Sequence, residues 1–455
     1  MLVAGTGVAG TAAAGVLLER GVRVTVVDRA ASDRTAALAA TGATIVIAAG
    51  APSEEALADV SEVVVSPGFA PHHPLVVAAL ARGLEVYSEP ELAWRLRGPD
   101  APVWLGITGT NGKTTTTTML AAILRAAGRR TAALGNIGEP LVHATGYDVL
   151  AVELSSFQLH WSRDLAVPVG ALLNLADDHL EWHGTFAAYA KAKAAIWRAA
   201  TPEGGGVAVG NLDDARVAAL LGEVTGRTVG FTVGAPDDGQ VGVVDGWLTD
   251  RAFGVGRLIE ADRIRPPGTH NISNALAAAA LALAYGADAA AVRDGLAGYR
   301  PEPHRNAHVA TVGGVAYVDD SKATNPHAAY ASLTAYPRIV WVAGGQLKGV
   351  DVGDLVANVA DRLAGAVLLG VDRAQVARAL ARHAPGLPVI EVDSTDDGAM
   401  GEVVRAAAGL AQPGDTVLLA PAAASKDMFD SYAHRGAAFA AAVHDLEGQE
   451  PTEGR

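Results

Sequence analysis

The chain has 455 residues, of which 50% are hydrophobic and 18% are charged, and this length predicts two or three domains with large cores. It contains no cysteine, which excludes disulfides, thiolate catalysis and cysteine-ligated metal sites. The formal net charge of −14 argues against a general nucleic-acid binder, and anionic substrates must therefore be held by local Lys, Arg and backbone N–H groups.

Residues 1–97 alternate short apolar runs with amphipathic stretches, a pattern typical of a parallel βα sheet. The first apolar run leads into a glycine-rich turn, Gly5 to Gly10, and the next predicted strand ends at Asp28. This is the complete dinucleotide fingerprint, which indicates NAD or a related nucleotide such as UDP. The alternative is that the glycines serve only helix–strand packing. Few residues precede the turn, so either the first strand is short or the natural start lies upstream.

The same N-terminus gives no sign of export. It lacks the basic segment of a signal peptide, and its glycines fit a strand–turn–helix better. The chain also contains no long uncharged apolar stretch of the kind that spans a membrane. We therefore expect a cytoplasmic protein without membrane association.

The segment from Leu105 to Thr115 predicts a phosphate-binding turn. An apolar run, Val103 to Ile107, predicts a buried strand, and a helix is predicted over Thr114 to Ala127. In such a turn the backbone N–H groups point at a phosphate chain, Lys113 reaches the β/γ-phosphates and the Thr114 hydroxyl ligates Mg²⁺. The alternative is a glycine turn with a surface lysine. Because a strand precedes the turn and a helix follows it, binding of ATP or a close relative is favoured.

Polar residues follow further predicted strands of this domain. Glu153 ends one of them, and a carboxylate at a strand end beside a phosphate loop is placed to hold Mg²⁺. The run Asp177 to His183, with three acids and two histidines, follows another strand. Its position favours a metal or phosphate role, and a solvated loop is the alternative.

Two further predicted helices carry candidate site residues, each of which also has a purely structural interpretation. The helix predicted over Phe186 to Ala200 contains Lys191 and Lys193, which the sequence alone does not distinguish from surface lysines. Asn271 lies near the start of an alanine-rich helix, Ile272 to Tyr285. It would approach a nucleotide there, or it would simply cap the helix.

Gly and Pro residues predict one domain boundary at Arg97 to Pro102, and a second boundary is predicted near Tyr299 to Arg305. The tail 447–455 is predicted to be disordered. Beyond the boundary, three predicted strands each end in a loop that contains Lys, Ser or Thr. Because the carboxyl edge of an open parallel sheet is where ligands bind, the three loops together indicate a site for a small anion. The loops are Asp319 to Pro326, Gly344 to Gly349 and Pro421 to Asp427.

Taken together, the motifs resemble those of the Mur ligase family, in the family's order and over essentially the whole chain. The motifs are G-I-T-G-T-N-G-K-T-T, G-N-I-G, E-L-S-S-F-Q, N-L-A-D-D-H, H-N, P-H-R, D-D-S-K-A-T-N and G-G-Q-L-K-G. The resemblance implies an α/β fold with three domains. These are an N-terminal Rossmann-like UDP-binding sheet (1–97), a central P-loop ATPase sheet (98–302) and a C-terminal dinucleotide-fold domain for the amino acid (303–446).

The resemblance also implies a reaction. D-S-K-A-T-N and G-G-Q-L-K-G are similar to the amino-acid site of family members that add D-glutamate, and the D-N-P-R motif of members that add a diamino acid is absent. The expected activity is the ATP-dependent addition of D-glutamate to UDP-N-acetylmuramoyl-L-alanine in peptidoglycan precursor synthesis. The expected route runs through an acyl phosphate and a tetrahedral intermediate, catalysed by a monomer that binds neither nucleic acid nor membrane.

Matching positions assign the site residues that the resemblance implies. The catalytic residues would be Lys113, Glu153, His179 and Lys193. Thr114 and Glu153 would hold one Mg²⁺, and Glu153, His179 and Lys193, the last as a carbamate, would hold a second. ATP would contact Gly109, Thr110, Asn111, Gly112, Lys113, Thr114, Thr115, Asn271, Arg305 and Asp320. The UDP substrate would contact Gly5, Thr6, Gly7, Val8, Ala9, Asp28, Arg29, Ser66, Pro67, Gly68 and Asn136. D-Glutamate would contact Lys322, Thr324, Lys348, Ser425 and Tyr432.

Two other hypotheses remain at this point. An NAD-dependent oxidoreductase fused to a nucleotide-binding module explains the N-terminal fingerprint but leaves the two later domains without purpose. A non-enzymatic regulatory ATPase is the third hypothesis, and absence of phosphate release with every muramoyl substrate would favour it. Arg29 stands where a hydroxyl residue contacts the base in the family, so the details of uracil recognition stay open.

Overall fold

The computed structural model describes residues 1–48, 54–301, 303–394, 396 and 398–448. These residues form three α/β sheets, as predicted. By their contacts they divide into two compact units, Met1–Ile264 with Ile272–Tyr299, and Arg265–Asn271 with the described residues from Arg300 onward. The last helix ends at Glu447, and residues 449–455 of the predicted tail lie outside the described residues. Within the described part of the chain, no helix has the length and apolarity to cross a membrane.

The first sheet contains five parallel strands in the order β3-β2-β1-β4-β5. The strands are β1 (Leu2–Ala4), β2 (Thr25–Asp28), β3 (Thr44–Ile47), β4 (Glu62–Val65) and β5 (Glu85–Ser88). The helices are α1 (Val8–Glu19), α2 (Asp33–Ala40), α3 (Pro74–Ala81) and α4 (Glu89–Arg95). Because β1 lies between β2 and β4, the turn after β1 opens at the point where the strand order reverses, and such sheets bind ligands there.

The second sheet contains nine strands in the order β14-β13-β12-β11-β10-β9-β6-β8-β7. The seven strands β12, β11, β10, β9, β6, β8 and β7 pair in parallel, each with the next in this order. Strand β13 pairs antiparallel with both β12 and β14. The strands are β6 (Val103–Thr108), β7 (Thr131–Gly135), β8 (Val149–Glu153), β9 (Val169–Leu172), β10 (Val207–Asn211), β11 (Arg227–Phe231), β12 (Gln240–Val244), β13 (Trp247–Asp250) and β14 (Gly256–Glu260). The helices are α5 (Lys113–Ala126), α6 (Ser156–His160), α7 (Leu180–His183), α8 (Phe186–Ala194), α9 (Ala215–Gly222), α10 (Thr269–Tyr285) and α11 (Ala289–Gly298).

Helices α5 and α10 share one apolar core with this sheet. The alanine-rich run 275–282 of α10 is completely buried, because small side chains let a helix approach its neighbours closely. Strand β6 lies in the interior of the sheet between β9 and β8, and α5 packs on the same core. The turn that joins β6 to α5 is therefore fixed at both ends.

The third sheet contains six strands in the order β15-β16-β20-β17-β18-β19, all parallel except β15. The strands are β15 (Ala307–Val312), β16 (Val315–Asp319), β17 (Ile339–Gly344), β18 (Leu363–Leu369), β19 (Val389–Glu391) and β20 (Thr416–Leu419). The helices are α12 (Pro326–Leu333), α13 (Gly353–Val359), α14 (Arg373–His383), α15 (Ala399–Leu410) and α16 (Tyr432–Glu447). Since β16, β20 and β17 are neighbours, the three predicted anion-site loops leave one edge of the sheet side by side.

Helix α4 ties the first sheet to the second through two buried carboxylates. Glu91 accepts the backbone N–H groups of residues 163–165 at 2.9–3.0 Å, and Arg95 Nε donates to it at 2.9 Å. Glu89 accepts the backbone N–H of Val142 at 2.8 Å. Buried carboxylates need such donors because the loss of hydration penalises their charge.

Glu89 makes the stability of the protein depend on pH. Burial raises the pKa of Glu89 to about 7, from an ordinary value of 4.5, although the backbone N–H of Val142 opposes the change. Between these two values the folded chain holds a proton that the unfolded chain has lost, so the free energy of unfolding falls as pH rises and levels off above about 7. The contribution amounts to about 3 kcal/mol at most.

Glu89→Gln, which keeps an acceptor for Val142, is expected to lose this slope. The measurement is urea unfolding of both proteins at several pH values between 5 and 8, since their difference cancels the other titrating groups. A free-energy difference between the two proteins that does not change with pH would contradict the prediction.

Candidate active site

The turn between β6 and α5 has the geometry of a phosphate loop. Gly112 has φ +80°, and a Cβ added there would lie 2.4 Å from Asn274 Oδ1, so only glycine fits. Lys113 Nζ donates to the carbonyl oxygens of Gly109 at 3.0 Å and Thr110 at 2.9 Å. Helix α5 begins at Lys113, one residue earlier than predicted, so the positive end of its dipole faces the turn.

A neighbouring strand end holds this loop in place. Asn174 follows β9; its carbonyl accepts the N–H of Thr110 at 3.0 Å and its side chain exchanges two hydrogen bonds with the backbone of Asn111. The Thr110 hydroxyl lies 2.8 Å from the hydroxyl of Tyr189. Sequence reasoning assigned no role to Asn174 or Tyr189. The available signal was an asparagine directly after a strand that could pair with β6.

Glu153 is the buried carboxylate at the centre of the site. It is the last residue of β8, which lies between β6 and β7, and its side chain joins groups from both neighbours. Thr114 Oγ1 donates to Oε2 at 2.7 Å, and Asn136 Nδ2 donates to Oε1 at 2.8 Å. The structure therefore brings Glu153 together with Thr114 and with Asn136, which the resemblance had assigned to the UDP substrate.

Lys193 is buried, although the helix pattern alone favoured a surface position. The side chain is 2% exposed, Nζ donates to the Gly109 carbonyl at 2.7 Å, and the ammonium lies 4.8 Å above the Tyr189 ring. Burial, followed by the charge of Lys113, lowers the pKa of Lys193 well below its ordinary value. Lys191, on the same helix, is exposed. A buried amine that loses its proton easily is a nucleophile and is able to add carbon dioxide.

The oxygen donors beside the loop fit Mg²⁺. Thr114 and Glu153 supply a hydroxyl and a carboxylate, and Mg²⁺ usually takes one or two protein oxygens and completes its shell with phosphates and water. Across the residues that the structure describes, no three His, Cys, Asp or Glu side chains cluster as a metal site. Thr114 and Glu153 therefore fit part of a Mg²⁺ shell, which phosphate and water oxygens would complete.

His179 is placed differently from the other predicted catalytic residues. Its ring lies 4.7 Å from that of Phe157, and its two nitrogens are 3.5 Å from Asp178 and 3.7 Å from Glu181. The residue has φ +52° and is exposed. Among the described residues it makes no hydrogen bond to Glu153 or Lys193, so its metal-binding role stays a prediction.

The N-terminal fingerprint forms a polar cavity beside Asp28. A volume of about 430 Å³ is lined by Thr6, Gly7, Asp28, Ala30, Ala31, Ser32, Asp33 and Arg34. Asp28 accepts the Thr6 N–H at 2.7 Å, the Thr6 hydroxyl at 2.5 Å and the Arg29 N–H at 2.6 Å. Burial opposes ionisation, but these hydrogen bonds hold the pKa of Asp28 below its ordinary value. Arg34, which sequence reasoning missed, donates to the Thr6 carbonyl at 3.2 Å.

The remaining fingerprint residues position the turn after β1. Gly5 has φ +88°, and the Ser66 hydroxyl donates to its carbonyl at 3.2 Å. A Cβ on Gly10 would lie 1.9 Å from the Gly5 carbonyl oxygen. Gly10 therefore allows the close packing of α1 against the turn, which is the part that the last glycine of the fingerprint plays. Val8 and Ala9 begin α1, and Pro67 and Gly68 follow Ser66 after β4.

In the second unit, the three loops at the carboxyl edge of the third sheet contact one another. The backbones of Gln346 and Ala424 exchange hydrogen bonds at 2.9 and 3.0 Å, which joins the Lys348 loop to the Ser425 loop. Lys322 Nζ lies 5.0 Å above the ring of Tyr432. The Thr324 N–H donates to the Lys322 carbonyl at 2.8 Å, and Lys348 has φ +54°.

Two of the predicted nucleotide contacts, Asn271 and Asp320, make hydrogen bonds within this second unit. Helix α10 begins at Thr269, so Asn271 lies within its first turn and does not cap it; Asn271 Nδ2 donates to the Pro267 carbonyl at 3.2 Å. Burial raises the pKa of Asp320 to about 6, although the N–H of Asn306 donates to it at 3.1 Å. Asn306 follows Arg305 and accepts the Tyr336 hydroxyl at 2.6 Å.

Three family models match the chain in succession. They are "Mur ligase MurD-like, N-terminal domain" over residues 1–88, "Mur ligase middle domain" over 107–282 and "Mur ligase, glutamate ligase domain" over 304–423. With the three sheets and the phosphate loop described above, these matches define the class of protein. The chain belongs to the Mur ligase family.

Two similar curated proteins carry the same name. UDP-N-acetylmuramoylalanine--D-glutamate ligase of Streptomyces coelicolor is 53% identical over 98% of this chain and 97% of its own length. The protein of that name from Thermobifida fusca is 51% identical over 98% of each chain.

Solved structures agree on the fold. UDP-N-acetylmuramate-alanine ligase MurC from Thermotoga maritima has a TM-score of 0.59, is 18% identical, and the match covers 98% of this chain and 99% of that one. MurF from Acinetobacter baumannii has a TM-score of 0.62 at 19% identity, covering 94% and 91%. At these identities the likeness bears on the fold alone.

Proposed function

We propose that the chain is an ATP-dependent ligase that adds D-glutamate to UDP-N-acetylmuramoyl-L-alanine in peptidoglycan precursor synthesis. The observation that supports this most directly is the buried Glu153 carboxylate, hydrogen-bonded to Thr114 at the first turn of the phosphate-loop helix. Relatives more than 50% identical over nearly the whole chain carry the name of that activity. We place the reaction in the cytoplasm and expect a monomer to be sufficient.

The proposed assignment divides the work among the three predicted domains. Residues 1–97 would bind the UDP substrate in the cavity beside Asp28, and residues 98–302 would bind ATP on the loop ending at Gly112. Residues 303–446 would bind D-glutamate at the three loops, with the cationic side chains of Lys322 and Lys348 for its two carboxylates.

The chemistry demands a better electrophile than a carboxylate. A carboxylate oxygen of the muramoyl substrate would attack the γ-phosphorus of ATP, which releases ADP and leaves an acyl phosphate. The D-glutamate amine would then add to the acyl carbon, and the tetrahedral intermediate would collapse as phosphate leaves. Lys113 would neutralise the transferring phosphoryl group, and the loop N–H groups would orient it.

Two features of the site are proposed to hold cations between the polyanionic substrates. Thr114 and Glu153 would hold one Mg²⁺, which when bound neutralises the phosphates. Glu153, His179 and Lys193 would serve a second. An ammonium cannot ligate a cation, so we propose that Lys193 is carbamylated, which replaces its positive charge by an anionic oxygen ligand. Its burial and lowered pKa support this assignment.

The test is phosphate release from ATP with UDP-N-acetylmuramoyl-L-alanine across a panel of amino acids. We expect release to depend on D-glutamate, with L-glutamate as the matched control and a reaction without the UDP substrate as the blank. Equal turnover with a diamino acid would refute the proposed specificity, and release without any amino acid would point to an ATPase instead.

A further inference from the structure

Arg435 is a fully buried arginine on α16 whose guanidinium connects the three loops proposed to bind D-glutamate. Nε donates to the Ser321 hydroxyl at 3.0 Å, and Nη2 donates to the Ser321 carbonyl at 2.9 Å. Nη2 also donates to the Ala423 carbonyl at 3.1 Å, and Nη1 donates to the Gly344 carbonyl at 3.4 Å. Ser321 precedes Lys322, Gly344 begins the loop of Lys348, and Ala423 lies two residues before Ser425.

The same contacts also fix the start of α16. The Ser321 hydroxyl that accepts from Arg435 donates in turn to the Tyr432 carbonyl at 2.7 Å. The next residue, Gly436, leaves room for the hydrogen bond between His304 and Asp319, since a Cβ there would lie 2.2 Å from His304 Nδ1. The hydrogen bonds of Arg435 and Ser321 therefore fix the backbone positions of Lys322 and Tyr432.

The surroundings of the guanidinium leave its charge largely uncompensated. Within the described residues, every hydrogen-bond acceptor of Arg435 is a neutral oxygen, and it has no ion pair within 4 Å. Burial lowers the pKa of Arg435 to about 10, against the more distant charges of Asp427 and Asp319, so the group stays ionised near neutral pH. A buried cation of this kind costs stability unless an anion approaches it.

We propose that Arg435 is a positioning residue for the acidic amino-acid substrate. Its hydrogen bonds hold the three loops together as one binding site, and its guanidinium places a fixed positive charge beneath that site. This inference rests on the proposed function and deepens it. Arginine suits the task because its planar fork reaches several carbonyls at once, whereas a lysine ammonium is a single point charge. A substrate with two carboxylates would bring further negative charge to the loops that this guanidinium holds.

The proposal is tested with Arg435→Lys and Arg435→Met in the full chain. We expect the KM for D-glutamate to rise about tenfold in the first variant and about a hundredfold in the second. The KM values for ATP and the UDP substrate are expected to stay within about twofold of the wild type. Asp320 and the phosphate loop are held by hydrogen bonds in which Arg435 takes no part. A purely structural role would lower the yield or melting temperature without this selective change in KM.

Arg198 offers a matched control. It is also an arginine that donates to backbone carbonyls, those of Leu165 and Ser162, but it belongs to the first unit. Arg198→Lys is expected to leave the KM for D-glutamate within about twofold of the wild type.

Each outcome decides the matter. If wild-type turnover does not depend on D-glutamate, the proposed function fails before the variants are compared. If it does, and Arg435→Lys folds with an unchanged KM for D-glutamate, the positioning role is overturned. Should Arg435→Met fail to fold, Arg435→Lys alone decides, and an equal rise in all three KM values would likewise overturn it.

Discussion

Replacing Lys193 by alanine is expected to lower D-glutamate-dependent phosphate release at least about a thousandfold. The buried amine lies 2.7 Å from the carbonyl of Gly109 in the phosphate loop, and a carbamate on it would place an anionic oxygen beside the phosphates. Alanine removes that group and leaves a cavity of similar shape. Added acetate or formate is therefore expected to restore activity about tenfold, as measured by initial rates at rising carboxylate concentration.

Lys191→Ala is the control for this experiment. Lys191 lies on the same helix, α8, but is exposed, so its loss is expected to change the rate by less than about twofold. Rescue of Lys193→Ala by chloride as effectively as by acetate would show a salt effect. No rescue at all, with the circular dichroism spectrum of the wild type, would count against a carbamate at this position.

Glu153→Gln is expected to lower kcat about a thousandfold while ATP binding, measured by equilibrium dialysis, changes much less. Glu153 accepts hydrogen bonds from both Thr114 and Asn136, one on each oxygen. Glutamine keeps one acceptor oxygen for Asn136, but its NH₂ group only donates, so the Thr114 hydroxyl would have to turn and accept. The substitution also removes the negative charge that we propose for Mg²⁺ binding.

Glu89→Gln provides the corresponding control, since Glu89 is an equally buried carboxylate on α4 with a backbone partner of its own. Its kcat is expected to stay within about twofold of the wild type. A comparable loss in both variants would mean that removing any buried carboxylate disturbs the first unit. The catalytic assignment of Glu153 would then be withdrawn.

The sequence allowed the phosphate loop and the ends of the sheet strands to be predicted because those signals are local. Strand β6 was predicted over Val103–Ile107 and ends one residue later, and α10 begins three residues before its predicted start at Ile272. Glu153 was placed correctly at a strand end, since an apolar run followed by a polar residue marks such an end reliably.

What the sequence did not reveal depends on distant contacts. Lys193 is 84 positions from the carbonyl that it contacts, and Arg435 is 114 positions from Ser321. A helix pattern shows which residues share a face but not what packs against that face. Lysine and arginine are also rarely buried, so composition favoured the surface for both residues.

The segment 1–97 cannot be cut away cleanly from the rest of the first unit. Its removal would leave the three backbone N–H groups at 163–165 without their acceptor, Glu91. It would also remove the carbonyl of Phe69, which accepts a hydrogen bond from Trp161 Nε1 at 3.0 Å. A truncated protein would expose donors that water must then satisfy. Fragment screens or crystallisation trials aimed at the ATP loop therefore call for both sheets of the first unit together.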